Sequence, residues 1–341
     1  MKYSIYIICI FIGIMTACNN KVKSNNSHDG NFALAIHGGS GNIDKMNLSD
    51  SEKLAYHHIL DSALHVGYEI LRTGGTSLLA VEKVIKVLEN SPLFNAGKGS
   101  VLCNDGSIEM DAAIMDGKTL DAGAVAGLKR IKNPIAAAKM IMSKSKYVFL
   151  YGSGAEDFVA ENGMKLVDPS YFYTKMRIEQ LEKAKKDEKD EMILDHDNKT
   201  ESEGKYGTVG CVALDQAGNL AAGTSTGGLM NKKYHRIGDS PLIGSGTYAE
   251  NDVCAVSCTG RGEDFIKNVI AYDIASRVKY GQLTLEDAVA QSIQIKLRQN
   301  KGRGGCIAID ASGNIVFNFT TSGMFRGSVD KKGNFYTGIG R

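Results

Sequence analysis

The chain lacks tryptophan altogether, has only four prolines and carries almost no net charge. Its 40 lysines and arginines are balanced by 38 aspartates and glutamates, which leaves a formal charge of +2. A chain so close to neutrality has no general electrostatic attraction for nucleic acid or for an anionic membrane surface. Its hydrophobic content of 43% over 341 residues argues against a disordered or fibrous protein and is sufficient for a buried core.

Common cofactor motifs are missing as well. The seven histidines and seven cysteines form no HExxH and no CxxC spacing, so no catalytic metal or other catalytic cofactor is expected. Gly97-Lys-Gly-Ser100 is not a phosphate loop, because the lysine is not followed by Ser or Thr.

Five cysteines of the chain body lie mostly in strand-like apolar runs and are predicted to be small buried hydrophobic residues, with one or two disulfides as the alternative. They are Cys103, Cys211, Cys254, Cys258 and Cys306.

A long hydrophobic run occurs only at the start of the chain. The apolar stretch from Ile5 to Met15, followed by Thr-Ala-Cys18, is typical of a bacterial lipoprotein signal. We therefore predict a signal peptide over 1–17, lipidation of Cys18 and a flexible tether over 18–31. The protein would be exported, and either periplasmic or lipid-anchored to the cell envelope. A plain secretory signal is the alternative, and the run is too short for a spanning helix.

Glycine is abundant, with 39 residues, and one glycine-containing pattern, Asp-x-x-Gly-Asn, occurs three times. The three copies are Asp215–Asn219, Asp310–Asn314 and Asp330–Asn334. Each predicts a tight turn between strands, and the apolar runs Cys211–Leu214 and Cys306–Ile309 lead into the first two. Helical periodicity falls near 54–90, 133–143 and 262–299. The sum predicts an α+β fold that begins near Phe32, with antiparallel sheets and helices outside them.

The segment of about 179–205 differs from its surroundings, because it is strongly charged and poor in apolar residues. It is predicted to be a solvated, mobile linker. The linker leads directly to Gly207 and Thr208, where an apolar strand begins.

Gly223-Thr-Ser225-Thr-Gly227 matches the G-x-S-x-G elbow of serine hydrolases. That mechanism requires an acidic residue and then a histidine later in the chain. The only histidine after Ser225 is His235, and no Asp or Glu lies between them. The elbow is therefore a poor candidate for the nucleophile.

A hydroxyl nucleophile without a histidine needs another base. An α-amino group has a pKa of roughly 7.7 to 8.0 and is partly neutral at physiological pH, so it can serve. A threonine that uses its own amine must be the first residue of its chain, so Thr208 would have to be released by cleavage after Gly207. Gly207 lacks a Cβ and permits the close approach that an attack by Thr208 requires.

Eight segments carry a family resemblance, in the order Ile36-His-Gly-Gly-Ser-Gly41, Pro92-Leu-Phe-Asn-Ala-Gly97, Met110-Asp-Ala-Ala-Ile-Met-Asp-Gly117, Gly123-Ala-Val-Ala-Gly127, Gly207-Thr-Val-Gly210, Thr224-Ser-Thr-Gly-Gly228, Arg236-Ile-Gly-Asp-Ser-Pro241 and Ser257-Cys-Thr-Gly-Arg-Gly-Glu263. Together they closely resemble the plant-type asparaginase and isoaspartyl peptidase family of N-terminal-nucleophile hydrolases of the threonine type. The resemblance covers Phe32 to the C-terminus. It implies a four-layered αββα sandwich over 32–341, cleaved into an α-subunit ending at Gly207 and a β-subunit of 208–341, and an (αβ)₂ assembly.

The resemblance also implies roles for single residues. Thr208 would attack the side-chain carbonyl of the substrate, with Thr226 orienting it. The Thr259 hydroxyl and the Gly260 N–H would form an oxyanion hole. The substrate-binding residues would be Arg236, Ile237, Gly238, Asp239, Thr259, Gly260, Arg261, Gly262 and Asn95. Among these, Arg236 would hold the α-carboxylate and Asp239 the α-ammonium of a small zwitterion, and Arg261 would favour substrates with an extra carboxylate.

A structural sodium ion is a further implication, since carbonyl oxygens suit a hard cation. Its ligands would be backbone oxygens of Leu88, Glu89, Phe94, Ala96 and Lys98, although Lys98 stands where an apolar residue is expected.

The implied substrates are β-aspartyl dipeptides and L-asparagine, with no nucleic-acid partner. A glycosylasparaginase of the same family is the main alternative, and Thr224-Ser-Thr-Gly-Gly228 favours the asparaginase branch. A lipid-anchored binding protein that never matures is a more distant alternative.

Overall fold

The computed structural model describes residues 30–194 and 207–341. Within these ranges the strands are β1 (Ala33–Gly41), β2 (Met110–Asp116), β3 (Ala122–Leu128), β4 (Phe149–Tyr151), β5 (Val209–Leu214), β6 (Leu220–Thr226), β7 (Thr247–Glu250), β8 (Cys254–Gly260), β9 (Gly304–Asp310), β10 (Ile315–Phe319), β11 (Gly323–Asp330) and β12 (Phe335–Gly338). The α-helices are α1 (Asp50–Arg72), α2 (Ser77–Glu89), α3 (Pro134–Lys144), α4 (Gly152–Glu161), α5 (Lys175–Leu194), α6 (Gly262–Asn268), α7 (Ile270–Lys279) and α8 (Leu285–Ala290), the last continued by a π-helical segment, Gln291–Leu297.

The strands form two sheets. The larger one has eight strands in the order β12-β11-β1-β5-β6-β2-β3-β4, and the smaller one has four in the order β10-β9-β8-β7. Neighbouring strands are antiparallel except for the parallel pair β3 and β4.

Three apolar clusters hold four layers together. Strand β5 shows how, because its alternate residues face different layers. Val209, Cys211 and Ala213 pack in the cluster that joins the large sheet to α1, α2 and α3. Val212 and Leu214 pack instead between the two sheets, while α7 and α8 cover the outer face of the small sheet. The fold is therefore the predicted four-layered αββα sandwich, and the continuous apolar runs are strands covered on both faces.

The three Asp-x-x-Gly-Asn segments connect β5 to β6, β9 to β10 and β11 to β12. In each, one carboxylate oxygen of the Asp accepts the backbone N–H groups two and four residues later; for Asp215 these are Ala217 at 3.0 Å and Asn219 at 2.9 Å. The glycine of each turn has a positive φ, as Gly218 does at 79°. The turn prediction is confirmed, because glycine adopts this region at little cost.

The segment predicted to be a linker over about 179–205 is helical as far as Leu194, where α5 ends. Glu and Lys are strong helix formers, and two residues anchor the helix to the domain. Arg177 donates to the backbone oxygen of Gly99 at 2.7 Å, and Leu181 is buried. Charge density alone therefore misled the prediction for this part, while residues 195–206 lie outside the described ranges.

The five cysteines of the chain body are all buried with free thiols, as small hydrophobic residues would be. In the described part of the chain, none of the helices has the length and apolar character needed to cross a membrane.

Three strand ends meet at one place: the end of β1, the start of β5 and the end of β6. His37 pairs with Gly210 across β1 and β5, and Val209 pairs with Ser225 across β5 and β6. This register puts the last residues of β1 and β6 beside Thr208, which directly precedes β5.

Candidate active site

A small cavity lies at this meeting point, with a volume of about 10 Å³. Its lining residues are Gly207, Thr208, Thr226, Gly228, Leu229, Arg236, Gly238, Asp239, Ser240 and Gly260. Gly207 and six other lining residues were predicted from the sequence to belong to the site, so the fold brings most of the predicted set into one place. The six are Thr208, Thr226, Arg236, Gly238, Asp239 and Gly260. The volume admits about one water molecule and no substrate of the size of asparagine.

Thr208 and Thr226 face each other across the bond predicted to be cut. The Thr208 hydroxyl donates to Thr226 Oγ1 at 3.2 Å, and the Gly228 N–H donates to the same oxygen at 3.0 Å. Thr226 in turn donates to the carbonyl oxygen of Gly207 at 3.4 Å. The hydroxyl hydrogen of Thr226 therefore polarises the Gly207 carbonyl, which Thr208 would attack. The hydroxyl oxygen of Thr226 accepts a hydrogen bond from the attacking Thr208 hydroxyl.

Thr259 lies at the end of β8 and is fully buried, so it does not line the cavity although Gly260 does. Its Oγ1 accepts the backbone N–H of Ser40 at 3.2 Å, and its carbonyl accepts the Ser40 hydroxyl at 3.1 Å. Because Thr259 Oγ1 already accepts, its own hydrogen is available for donation, which is what an oxyanion-hole hydroxyl requires.

Arg236 lines the cavity and is held by a carboxylate that the sequence analysis gave no role. Its Nε and Nη2 donate to the two carboxylate oxygens of Glu263, each at 2.8 Å. Two glycines allow this position: a Cβ on Gly238 would lie 2.8 Å from Nη1, and one on Gly262 would lie 2.7 Å from Nη2. The bidentate pair fixes the plane of the guanidinium and leaves Nη1 for a ligand.

Asp239 is almost completely buried, and its Oδ2 has no hydrogen-bond partner within the described residues. Burial raises the pKa of this carboxyl to about 7, although the nearby Arg236 acts in the opposite direction. A buried carboxylate oxygen without a partner is costly, so Asp239 is suited to receive a cation such as an ammonium group.

Four of the predicted substrate-binding residues, besides Thr259, lie close by without lining the cavity: Asn95, Ile237, Arg261 and Gly262. Asn95 is buried, its amide donates to the Gly228 oxygen at 2.7 Å, and its own oxygen accepts from the Val101 N–H at 2.9 Å. Both ends of this side chain are thus used to hold the turn beside the cavity. Arg261 is partly exposed, with its Nε 4.0 Å from Glu263.

The end of β1 supports the Gly207–Thr208 bond. His37 Nδ1 lies 2.9 Å from the Thr208 oxygen. Gly39 has a φ of 108°, and a Cβ there would lie 2.7 Å from Gly207 Cα and 3.1 Å from Thr208 N. The glycine therefore permits a backbone contact that any side chain would prevent.

The serine of the rejected elbow points away from the cavity. Ser225 is fully buried and donates to Glu89 Oε1 at 2.7 Å, and burial raises the pKa of that carboxyl to about 7. His235 pairs instead with Glu109, at 2.5 Å. Among residues 30–194 and 207–341, no Ser-His-acid arrangement is therefore assembled around Ser225.

The sodium site predicted in the loop from Leu88 to Lys98 would be formed by backbone oxygens alone. Those of Leu88, Phe94 and Ala96 each accept a hydrogen bond inside the loop, from Ser91, Ala96 and Gly99 at 3.0 to 3.2 Å. A carbonyl has a second lone pair, so this donor set still fits a hard cation. The described residues contain no cluster of three or more His, Cys, Asp or Glu side chains suited to a metal.

Comparison with known proteins identifies the family of the chain. The family model described as asparaginase matches residues 30–339. The chain belongs to the asparaginase family. It is 46% identical over 298 residues to an isoaspartyl peptidase of Escherichia coli (strain K12), a match that covers 87% of this chain and 92% of the relative. It is 42% identical to a probable isoaspartyl peptidase/L-asparaginase 2 of Arabidopsis thaliana (89% and 97% covered) and 40% identical to an isoaspartyl peptidase/L-asparaginase of Rattus norvegicus (92% and 90% covered).

The same comparisons overturn the localisation predicted from the first 20 residues. The family match begins at residue 30, and the names of these relatives, isoaspartyl peptidase and isoaspartyl peptidase/L-asparaginase, mention neither export nor a lipid anchor. The prediction of an exported, periplasmic or lipid-anchored asparaginase is therefore wrong, because an apolar run followed by a cysteine is too weak a signal on its own. Cys18 and the segment 1–29 lie outside the described residues.

Proposed function

We propose that the chain is the precursor of a hydrolase that cuts itself between Gly207 and Thr208 and then cleaves β-aspartyl dipeptides and L-asparagine. The observation that carries the proposal is the hydrogen-bonded relation of Thr208, Thr226 and the Gly207 carbonyl. The names of the relatives, isoaspartyl peptidase and L-asparaginase, support the choice of substrate.

Self-cleavage begins when Thr208 Oγ1 attacks the Gly207 carbonyl carbon. The C–N bond then breaks, the former amide nitrogen takes up the hydroxyl proton, and an ester links Gly207 to Thr208 Oγ1. Water hydrolyses this ester and leaves a carboxylate on Gly207 and a free α-amine on Thr208. That amine has an ordinary pKa of roughly 7.7 to 8.0 and serves as the base for Oγ1 in later turnovers.

Hydrolysis of the substrate repeats the same chemistry at an aspartyl side chain. Arg236 Nη1 binds the α-carboxylate and Asp239 binds the α-ammonium, which places the side-chain carbonyl at Thr208. Attack expels ammonia or an amino acid and gives a β-aspartyl ester, which water hydrolyses. The Thr259 hydroxyl and the Gly260 N–H donate hydrogen bonds to the substrate carbonyl oxygen. They stabilise the negative charge that develops on this oxygen when Thr208, and later water, attacks.

The size of the cavity agrees with a precursor that must be cut before it can work. At about 10 Å³ the cavity has room for about one water molecule but not for the substrate, and Gly207 is part of its wall. Cleavage frees this wall residue to move away, which makes room for the substrate. Self-cleavage would thus both create the base and open the site.

Two further features belong to the proposal. The backbone oxygens of Leu88, Glu89, Phe94, Ala96 and Lys98 would bind a sodium ion that stiffens the loop carrying Asn95, without a part in the chemistry. Two cleaved units would associate as an (αβ)₂ assembly.

A substrate comparison tests the activity. The cleaved protein is offered asparagine, β-aspartyl-leucine and a glycosylated asparagine, with the Thr208→Ala protein as the blank. Release of aspartate from the first two, abolished in the blank, is the expected result. A clear preference for the sugar conjugate would instead assign the glycosylasparaginase activity, and no release from any of them would overturn the proposal.

A further inference from the structure

His37 starts a row of buried polar side chains that the mechanism above does not use. Its Nε2 lies 3.0 Å from Ser257 Oγ, which lies 2.7 Å from Thr224 Oγ1, and Thr247 Oγ1 lies 2.6 Å from Thr224 Oγ1. All four side chains are fully buried. They lie in the space between the two sheets, which is otherwise filled with apolar residues.

Hydrogen-bond chemistry fixes the direction of this row. A carbonyl oxygen only accepts, so His37 Nδ1 must carry the hydrogen that reaches the Thr208 oxygen. Burial lowers the pKa of His37 to about 3, so the ring is neutral and its Nε2 can only accept. Ser257 therefore donates to Nε2, which uses its single hydrogen. At 2.7 Å Thr224 must then donate to Ser257, and Thr247 in turn donates to Thr224, although the backbone oxygens of Gly246 (3.1 Å from Thr224 Oγ1) and Ser240 (3.2 Å from Thr247 Oγ1) also lie within reach of these hydroxyls.

The row connects two parts of the site. At one end it holds the carbonyl of Thr208, and at the other Thr247 lies 3.2 Å from the backbone oxygen of Ser240, the neighbour of Asp239. Gly210, which pairs with His37 across the strands, leaves room for it, because a Cβ there would lie 2.0 Å from Ser257 Oγ and 2.2 Å from His37 Nε2. An alanine at this position would occupy the space of the hydrogen bond.

We propose that His37 is a positioning residue for Thr208, kept in its Nδ1–H form by the hydroxyls of Ser257, Thr224 and Thr247. This inference rests on the proposed function, since it assigns Thr208 as the nucleophile. Fixing the Thr208 carbonyl orients the Cα–Cβ bond and therefore the direction of Oγ1, in the precursor and in the cleaved enzyme alike. His37 takes no proton in the reaction and does not line the cavity.

Two substitutions of His37 distinguish the roles of its two ring nitrogens. The amide nitrogen of Asn lies as many bonds from Cα as Nδ1 does, and that of Gln as many as Nε2. His37→Asn keeps the donor for the Thr208 oxygen, so kcat should stay within about threefold of the unsubstituted enzyme. His37→Gln loses that donor, so self-cleavage should slow and kcat for asparagine should fall about tenfold with little change in KM.

The kcat values of both variants are compared with that of the unsubstituted enzyme. Equal kcat in His37→Gln and the unsubstituted enzyme, or equal loss in both variants, would overturn the role of His37. An unsubstituted chain that never splits would instead count against the proposed function itself, so the two failures are distinguishable.

A measurement that needs no His37 variant completes the test. Nitrogen-15 NMR of the enzyme labelled at histidine should show one neutral imidazole ring protonated at Nδ1. The signals of this ring are assigned to His37 by the change in their chemical shift in the Ser257→Ala variant. A ring protonated at Nε2, or a charged ring at neutral pH, would overturn the proposal.

Discussion

Arg236 and Glu263 form a bidentate pair, with two hydrogen bonds of 2.8 Å that hold the guanidinium in one plane at the wall of the cavity. Glu263 is half-exposed, so its contribution to the stability of the fold is small. Its main consequence is orientation, because the pair engages Nε and Nη2 and leaves Nη1, beside Gly238, to donate to a ligand.

Glu263→Gln should therefore weaken substrate binding without impairing the reaction itself. The glutamine amide keeps one oxygen that accepts from Arg236, but its NH₂ group is a donor and faces the second N–H donor of Arg236. One of the two hydrogen bonds is lost, so the guanidinium is no longer held in one plane. KM for asparagine should rise about tenfold while kcat stays nearly constant. Steady-state kinetics measure this, with the exposed Glu286→Gln as the matched control. A loss confined to kcat would show that Glu263 acts on the chemistry instead.

The acid side of the pH profile should report Asp239. Its raised pKa of about 7 means that the carboxyl becomes protonated as the pH falls through 7 and can no longer bind an ammonium group as an anion. The Thr208 amine must be neutral as well, so log kcat/KM should fall with a slope of about two below neutrality. In Asp239→Asn the slope should be about one, at a lower overall kcat/KM.

The control for this profile is Asp44→Asn, because Asp44 is exposed and lies outside the cavity. It should keep the slope of the unsubstituted enzyme. An unchanged slope in Asp239→Asn would mean that Asp239 does not titrate in this range or does not bind the substrate.

Gly39→Ala should block self-cleavage. The added methyl would lie 2.7 Å from Gly207 Cα, and the φ of 108° is unfavourable for alanine, so the bond to be cut would be displaced. Gly106→Ala is the matched control, since Gly106 also has a positive φ but no atom within 4 Å of the added methyl. Gel electrophoresis after purification should show an intact chain for Gly39→Ala and two fragments for Gly106→Ala. Normal splitting of a folded Gly39→Ala protein would contradict the close contact.

Thr226→Val should slow self-cleavage by about 10² to 10³-fold, the usual cost of one donor to a developing oxyanion. The valine keeps the shape of the side chain but neither donates to the Gly207 oxygen nor accepts from Thr208. Thr226→Ser, which keeps the hydroxyl, should split at close to the normal rate, and the exposed Thr119→Val serves as the control. The rate follows from the amount of intact chain over time, and similar rates for valine and serine would contradict the role of Thr226.

Much of the site could be predicted because its residues occur in short ordered segments. Arg236 and Asp239 lie three residues apart, and Gly207 directly precedes Thr208, so sequence spacing alone places each pair together. The turns were equally accessible, since an Asp side chain that accepts from two nearby N–H groups is a local arrangement.

Other contacts depend on strand register between distant parts of the chain, and sequence patterns do not reveal them. His37 and Ser257 are 220 residues apart, and Arg236 and Glu263 are 27 residues apart. The helix α5 was missed for a different reason, because its charged composition resembles that of a solvated segment while two buried residues, Arg177 and Leu181, fix it to the domain.

The most direct test of the central claim is the mass and N-terminal sequence of the purified full chain. Two fragments are expected, the smaller one beginning with Thr208 and ending at Arg341, and Thr208→Ala should remain one chain without activity. A chain that stays intact after long incubation but still hydrolyses asparagine would contradict the assignment of Thr208 as an N-terminal nucleophile.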